Sequence, residues 1–397
     1  MINPADQRKI IYDGKRVQPI YERRMVDYTS ALIYEEYNKP TIPYSYDSDY
    51  LKDFDCTPQV ITIPPINKLS LERNRVRNYP IQFMQMCINK QRSPVNSIVW
   101  TPDGRRLLSG SNSGEITMWN GLFFNFDTIL QGHNFPIRKL LFSRNNNLLI
   151  SGDSKGSVKY WNTAMSNLNA IENVHSEGIK DMSFSWNDNN FLTASDDATI
   201  KIIDTNTCKV LNTLKGHNWD IRKAQYHDMY SLIVSGGKDN LLKFWDPRAS
   251  SSAIRTFHYH KNTILALDMT RNYLITGGKD QVIKQLDFRT MKECFTYKTD
   301  ADITCLRFLQ KEEEFAFASG NGIGEIVYWE NFDDSPVAKT LESHENIIWC
   351  LEEHPAGHLL ASASADFQIK FWGRLKPSHK IKEVEEEEED FTAIPGL

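Results

Sequence analysis

Apolar residues recur along this chain in a fixed pattern of short strands joined by tight polar turns. The stretch from Ser235 to Asp246 shows the unit: an apolar strand, a Gly-Gly-Lys-Asp-Asn turn, and a second apolar strand that ends in Trp-Asp. Seven equivalent units close at Trp119, Trp161, Ile203, Trp245, Leu286, Trp329 and Trp372. A period of about 42 residues indicates a repeat protein in which each unit stacks on its neighbours.

An alternating apolar segment precedes each unit and predicts an inner strand. These segments begin at Val95, Ile137, Ile179, Ile221, Ile264, Ile303 and Ile348. Strand-forming repeats of this length predict a β-propeller, in which each blade is a sheet of four strands. The last blade lacks a fourth strand, because the residues directly after Trp372 (Gly-Arg-Leu-Lys-Pro) make a poor strand. We therefore expect residues 81–88 to provide the outer strand of the last blade and to close the ring. The sequence predicts an all-β fold, a seven-bladed β-propeller over residues 80–375.

The segments that flank the predicted propeller differ from it in composition. Residues 1–79 form an extended N-terminal arm that is basic at first and then rich in tyrosine and acidic residues. Because its apolar content is too low for a core, we expect the arm to become ordered against the propeller or a partner. Residues 376–397 include the acidic run Glu383 to Asp390 and are predicted to be a disordered acidic tail.

The charge and cysteine content narrow the classes of protein that the chain can represent. The net charge of −5 comes from the acidic tail, and the rest is nearly balanced, unlike a protein that coats duplex nucleic acid. The six cysteines form no C-x-x-C pair, which argues against a zinc site or a disulfide framework. Without a signal peptide or an apolar run of about 20 residues, we expect a soluble intracellular protein with no membrane partner.

The sequence offers no candidate for catalysis, for a metal or for a cofactor. Five of the ten histidines occupy the same repeat position, which favours a structural role; these are His133, His175, His217, His260 and His344. No phosphate-binding loop, zinc-protease motif or nucleophile elbow occurs. The glycine-rich run Gly320 to Gly324 falls in a strand–turn–strand pattern and not before a helix. We therefore predict a binding module and not an enzyme.

The repeats resemble the WD-repeat family through Gly216-His217, Ser235, Asp239 and Trp245-Asp246. In that family the His, Ser, Asp and Trp side chains form a buried hydrogen-bonded relay, as buried polar groups require. Two blades carry the full set, namely blade four (His217, Ser235, Asp239, Trp245) and blade seven (His344, Ser362, Asp366, Trp372). The other five blades lack at least one member and are expected to be less rigid.

The same resemblance places basic and aromatic side chains at one rim of the ring. In a WD-repeat blade, the residue after the first apolar position of the inner strand and the residue before the turn acid face the upper rim. With two neighbouring loop aromatics, this set, here called the basic rim, consists of Phe135, Arg138, Lys180, Trp219, Arg222, Lys238 and Lys279. Cations beside aromatic rings suit stacked bases or an acidic or phosphorylated peptide. The alternative is a solvated basic face with scattered aromatic residues.

Two stretches resemble a narrower family. They are Tyr12-Asp-Gly-Lys-Arg16 in the arm and the blade-one segment Trp119-Asn-Gly-Leu-Phe-Phe-Asn-Phe126. Both are similar to the WD-repeat subunit of the eukaryotic cleavage and polyadenylation factor, of the fungal type. The resemblance implies a nuclear scaffold for messenger-RNA 3′-end formation. Its implied partners are a large multi-propeller scaffold subunit, a zinc-finger subunit, poly(A) polymerase and nuclease modules, and single-stranded A-rich pre-mRNA.

The resemblance also implies roles for individual residues. By position, Tyr12 and Phe124 would stack on bases, while Lys15, Arg16 and Arg23 would hold phosphates and base edges. An aromatic ring beside Lys-Arg suits single-stranded RNA. The alternative for the arm residues is docking on a partner without RNA contact. Animal members are more basic just after Lys-Arg, where this chain has Gln-Pro.

A rival function of another class rests on four residues. Trp245-Asp246-Pro247-Arg248 matches the Trp-Asp-x-Arg motif of substrate receptors for cullin-type ubiquitin ligases. Arg248 would then pair with an acidic adaptor. The motif is short, and Trp-Asp pairs are common in repeats of this kind.

Overall fold

A computed structural model describes residues 10–12, 17–19 and 79–373, except 228, 249–251, 310–315, 334, 341–342, 356 and 358. In the arm, the strands Ile10–Tyr12 (β1) and Val17–Pro19 (β2) pair antiparallel. The remaining strands of the described chain build seven antiparallel sheets of four strands each. The prediction of an all-β, seven-bladed propeller is confirmed.

Each sheet is one blade, and in six of the seven the strands follow chain order from the centre of the ring outward. The inner strands are Val95–Trp100 (β4), Ile137–Phe142 (β8), Ile179–Phe184 (β12), Ile221–Tyr226 (β16), Ile264–Met269 (β20), Ile303–Leu309 (β24) and Ile348–Glu353 (β28). The second strands are Arg106–Ser111 (β5), Leu148–Asp153 (β9), Asn190–Ser195 (β13), Ile233–Gly237 (β17), Tyr273–Gly278 (β21), Ala316–Asn321 (β25) and Leu359–Ser364 (β29). Consecutive inner strands contact one another, and β28 contacts β4, so the ring is closed.

The outer half of each blade completes the sheet. The third strands are Glu115–Asn120 (β6), Val158–Asn162 (β10), Thr199–Asp204 (β14), Leu242–Trp245 (β18), Val282–Asp287 (β22), Ile326–Glu330 (β26) and Gln368–Gly373 (β30). The outer strands are Phe126–Gln131 (β7), Asn167–Ile171 (β11), Val210–Lys215 (β15), Arg255–Phe257 (β19), Lys292–Lys298 (β23), Ala338–Thr340 (β27) and Gln82–Ile88 (β3). The apolar residues of second strands, such as Leu149 and Ile150, are fully buried between blades, whereas outer strands such as β11 are mostly exposed.

The outer strand of blade seven comes from the other end of the propeller sequence. Strand β3 pairs with β30, from Gln82 opposite Gly373 to Ile88 opposite Gln368. The Cys87 thiol of β3 donates a hydrogen bond to the backbone oxygen of Phe124 in blade one, over 2.8 Å. The pairing joins the two ends of the ring and so removes two open sheet edges.

Two tyrosines fasten the chain to blade six just before it enters β3. The Tyr79 hydroxyl donates to the Glu330 carboxylate over 3.0 Å, and the Tyr328 hydroxyl donates to the Pro80 carbonyl over 2.6 Å. Both rings are buried, and their centroids lie 5.5 Å apart. The closing strand is therefore anchored at both of its ends.

The side-chain relay is complete in blade four. The indole nitrogen of Trp245 donates to the Ser235 hydroxyl over 2.7 Å, which lies 2.7 Å from His217 Nε2. His217 Nδ1 lies 2.8 Å from the Asp239 carboxylate, which suits a neutral ring that donates through Nδ1. Burial disfavours the ionised acid, but the hydrogen bonds it accepts, first of all that from His217, outweigh this effect and lower the pKa of Asp239. Blade seven repeats this arrangement with His344, Ser362, Asp366 and Trp372.

Blade two also has a complete relay, although its sequence lacks the turn acid. Lys155 occupies the usual acid position, and Asp153, two residues earlier, takes over the role. Its carboxylate lies 3.2 Å from His133 Nδ1, while Ser151 lies 2.6 Å from His133 Nε2 and accepts from Trp161 over 2.9 Å. The expectation that blade two would be incomplete is wrong, because alignment by repeat position misses an acid that reaches the same histidine from the end of β9.

The other incomplete blades differ in the member that is missing. Blades three and five keep the His–Thr–Asp part but end in Ile203 and Leu286 instead of tryptophan. In blade one, Gln91 donates to Glu115, so a glutamate provides the acid. In blade six, Trp329 donates to Ser319 over 3.1 Å, and a threonine takes the place of the histidine.

We expect Asp153→Asn to destabilise the protein by about 1 kcal/mol, because an amide has one acceptor oxygen, whereas Asp153 accepts from His133 with one oxygen and from the backbone of Lys155 and Ser157 with the other. Lys155→Arg is the matched control, since it alters the usual acid position of the same turn but keeps a cation beside Phe135 and should leave stability nearly unchanged. Urea unfolding followed by tryptophan fluorescence measures both. Equal midpoints for the two variants would contradict the role assigned to Asp153.

The glycine-rich run of blade six serves the contact between blades. Gly324 has a φ of +100°, and a Cβ there would lie 2.2 Å from the carbonyl oxygen of His344. The backbone N–H of His344 donates to Gly324 over 2.9 Å. The glycine therefore lets the connection to blade seven approach the turn closely.

Candidate interaction surfaces

Three basic residues of the basic rim lie on a β-bulge that repeats in every blade. In each inner strand the register shifts between the first and third residues, so the second residue has no partner on the neighbouring strand. In blades two to four that residue is Arg138, Lys180 and Arg222. A bulge redirects the side chain of its extra residue. The fold thus presents three cations on adjacent blades at the same end of the channel.

Carboxylates accompany two of these cations. Lys180 Nζ lies 2.9 Å from Asp196, and a terminal nitrogen of Arg222 lies 3.2 Å from Asp220. The Lys238 ammonium is 3.7 Å from the same Asp220 oxygen. These pairs are partly exposed, and each is worth less than about 1 kcal/mol to stability. They hold the basic side chains in place without cancelling the positive charge of the rim.

Each of the two rim aromatics lies beneath a lysine. Lys238 Nζ is 5.4 Å from the ring centroid of Trp219, and Lys155 Nζ is 5.1 Å from that of Phe135. The two rings are 58% and 42% exposed, so both keep a free apolar surface. Such cation–π contacts contribute about 0.5–1 kcal/mol at exposed sites. Lys155 was missed in the sequence because it replaces the turn acid of its repeat.

The last member of the basic rim, Lys279, is exposed on the turn after β21 in blade five. Its backbone N–H donates to Thr263 at the entry to the same blade, over 3.0 Å. The structure therefore brings the seven residues of the rim to one end of the ring, spread over blades two to five.

Phe124 lies at the opposite end of the blade strands, on the turn between β6 and β7. Its ring centroid is 4.4 Å from that of Phe371 in blade seven, at an interplanar angle of 32°. One face of the ring is thus occupied by the protein, and the side chain is half-buried. Phe124 packs across the junction of blades seven and one, and base stacking would have to use its other face.

The arm residues are described only in part. Tyr12 ends β1, opposite Val17 of β2. Lys15 and Arg16 fall between these two strands, and Arg23 follows them, but all three lie outside the described residues. Among the residues that are described, no group of three or more His, Cys, Asp or Glu side chains could hold a metal ion. No helix within them is long and apolar enough to cross a membrane.

Comparisons with known proteins match nearly the whole chain. A family model described as "WD domain, G-beta repeat" matches residues 85–120, 125–162, 168–204, 208–246 and 335–373. The polyadenylation factor subunit 2 of Yarrowia lipolytica is 40% identical over 80% of this chain and 68% of its own length. That of Schizosaccharomyces pombe is 36% identical over 93% of this chain and 77% of its own length. The chain belongs to the polyadenylation factor subunit 2 family.

Membership of the polyadenylation factor subunit 2 family confirms the resemblance predicted from the arm and from blade one. The chain spans 59% of the length of the Neurospora crassa relative and 64% of that of Gibberella zeae, to each of which it is 33% identical. The WD-repeat model leaves residues 247–334 unmatched, yet the structure forms blades five and six there.

The comparisons do not support the ubiquitin-ligase alternative. In the structure, the backbone N–H of Arg248 donates to the Asp246 carboxylate over 2.9 Å, so this Asp caps a turn. The Trp-Asp-Pro-Arg match is therefore an ordinary repeat ending followed by a turn.

Proposed function

We propose that this chain is a non-enzymatic scaffold and RNA-recognition subunit of the nuclear machinery that cleaves and polyadenylates pre-mRNA. The observation that carries the proposal is its family. The match to the Neurospora crassa polyadenylation factor subunit 2 covers 92% of this chain. That share is longer than the propeller, which is about three quarters of the sequence, so the similarity extends beyond the propeller.

The structure supports a binding role through the way its polar groups are used. The five repeat histidines are buried and hydrogen-bonded to an acid and a hydroxyl within the fold. In this proposal the propeller is a rigid body that bridges the multi-propeller scaffold, the zinc-finger subunit, poly(A) polymerase and the nuclease. Rigid propellers that present loops at both faces suit such bridging.

The proposed RNA contacts combine the arm with the lower face of blade one. Lys15, Arg16 and Arg23 would hold phosphates and base edges of single-stranded A-rich RNA, and Tyr12 would stack on a base. The half-exposed ring of Phe124 offers a second stacking surface. Base–aromatic stacking is worth about 1–3 kcal/mol per base, which is enough to position a strand held by a few cations.

We expect Lys15→Glu with Arg16→Glu to lower RNA crosslinking about tenfold, because two phosphate contacts become repulsive. The experiment reconstitutes the full chain with the scaffold and zinc-finger subunits and crosslinks the complex to A-rich RNA. Lys209→Glu with Lys292→Glu is the matched control, since both lysines are exposed on outer parts of blades and carry the same charge change.

The assembly state separates the two roles proposed for the arm. Loss of crosslinks from an intact complex supports RNA contact. Dissociation of the complex would mean that Lys15 and Arg16 act in docking alone. Unchanged crosslinks would show that these two residues do not contact RNA.

A further inference from the structure

We propose that the upper mouth of the channel, on blades two to four, docks an acidic linear segment of a protein partner. Carboxylates of that segment would bind Arg138 and Arg222, and one of its apolar side chains would pack on Trp219. This inference rests on the scaffold part of the proposed function and does not depend on RNA contact by the arm.

The distribution of bulge residues around the ring locates the site. The second residues of the seven inner strands all take this unpaired position, and in ring order they are Asn96, Arg138, Lys180, Arg222, Leu265, Thr304 and Trp349. Only three are cationic, and those three are consecutive. The bulge residues are thus basic on one side of the channel mouth and uncharged on the other, which favours an anionic ligand on the side of blades two to four.

The two arginines retain donors that nothing in the described part of the chain satisfies. Nε of Arg138 and Nε of Arg222 are both shielded from water and have no hydrogen-bond partner there. A shielded N–H without an acceptor destabilises the protein, and a ligand carboxylate that accepts from it removes this cost. Burial lowers the pKa of Arg138, Asp196 opposes this effect, and the positive charge of Arg222 adds to it. The positive charges of Arg138 and Arg222 therefore repel each other, and an anion bound between them would relieve this repulsion.

The carboxylates of the site favour a peptide over RNA. Asp196 pairs with Lys180 through one oxygen, while its other oxygen, Oδ1, is shielded and has no hydrogen-bond partner among the described residues. Asp220 lies beside Arg222. A phosphate backbone would bring a negative charge next to both acids at every nucleotide. An extended peptide offers backbone N–H donors to the acids and side-chain carboxylates to the arginines.

The aromatic residues supply the apolar part of the contact. Trp219 is more than half exposed, on the loop that leads into the inner strand of blade four. Phe135 occupies the same loop position in blade two. Tryptophan and arginine dominate the binding energy of many interfaces, since they combine a large contact area with directed polar groups. An acidic peptide that carries an apolar side chain complements both.

The test measures binding of a fluorescein-labelled peptide of repeated Glu-Asp-Phe-Glu to the full-length chain by fluorescence anisotropy. We expect Arg138→Glu with Arg222→Glu to weaken binding at least about tenfold, because an attraction becomes a repulsion. Trp219→Ala, which changes no charge, should weaken it about fivefold through lost apolar contact. Lys209→Glu with Lys292→Glu is the control with the same charge change outside the site. A thermal melt of each variant verifies that it is folded.

The alternatives give different results. Equal weakening by the control pair would mean that binding follows net charge alone and would overturn the proposal, as would an unaffected peptide affinity in the arginine variant. Unlabelled oligo(A) and unlabelled peptide are also compared as competitors of the labelled peptide. If oligo(A) displaces the labelled peptide more strongly than the unlabelled peptide does, the site binds RNA and the proposal is overturned. This assay uses the chain without the other subunits, so a negative result here would not change the interpretation of the RNA crosslinking test of the arm.

Discussion

Removal of residues 1–88 should abolish cooperative folding of the propeller, whereas removal of residues 1–78 should leave it intact. The two truncations differ only by Tyr79, Pro80, Ile81 and the closing strand β3. Without β3, the third strand of blade seven becomes an open edge beside the first blade. The missing ladder and the Tyr79 contact together are worth about 5 kcal/mol or more, which is comparable with the whole stability of many domains.

The measurement is denaturant unfolding of both truncations, with size-exclusion chromatography to detect aggregation. The shorter truncation should show one sharp transition and elute as a monomer. The longer one should aggregate through its exposed edge or unfold without a transition. Addition of a peptide of residues 79–90 should restore part of the folded signal. Equal transitions in the two truncations would show that the ring does not need β3 for stability.

The fold could be predicted from the sequence because the same pattern of apolar strands and polar turns occurs seven times. The apolar period defines the strands, and the poor strand character after Trp372 requires a strand from elsewhere. Blade six shows the strength of this signal, because it forms although threonine replaces the histidine at position 299.

The details of the site could be predicted less well, since they depend on local geometry. The rim positions followed from the family pattern, but the bulge that redirects Arg138 and Arg222 has no signature in the residue types. Asp153 and Lys155 exchange the expected charges within one turn, and only the structure shows that each contacts a different neighbour, His133 and Phe135. The packing of Phe124 on Phe371 joins residues almost 250 positions apart, which periodicity alone does not indicate.

The second large effect concerns pH and is located at His354. This side chain is 2% exposed at the end of the inner strand of blade seven. Its Nε2–H donates to the Gly104 carbonyl of blade one over 2.9 Å, and its ring meets that of Trp100 edge to face at 4.6 Å. The sequence shows no ligand spacing around His354, which favours a surface or turn position; the residue does lie at a turn, but it is buried. Burial lowers the pKa of His354 to about 4, with a small opposing contribution from Gly104 and Asp103.

The direction of the effect follows from this lowered pKa. As the pH falls, the unfolded chain binds a proton at His354 near pH 6.5, whereas the folded chain binds it only near pH 4. The neutral ring therefore contributes its full stability above the usual pKa of histidine, and this contribution is lost as the pH falls through that value. Between pH 7 and pH 5 the loss amounts to about 2 kcal/mol. The relay acids do not interfere, because their pKa values are lowered from a usual value near 4, so their contribution is lost only at lower pH.

We expect His354→Gln to remove most of this acid sensitivity, because glutamine can still donate to Gly104 but cannot take up a proton. Its stability at neutral pH should fall by about 1 kcal/mol through poorer packing on Trp100, so the quantity compared is the change between pH 7 and pH 5. Urea unfolding at both pH values measures it, with His258→Gln as the control at an exposed histidine. The wild type and the control should lose about 2 kcal/mol more than His354→Gln over this interval. Parallel losses in all three proteins would show that His354 accepts its proton in the folded state as readily as in the unfolded one, and that burial at the junction of blades seven and one does not control the acid stability of the ring.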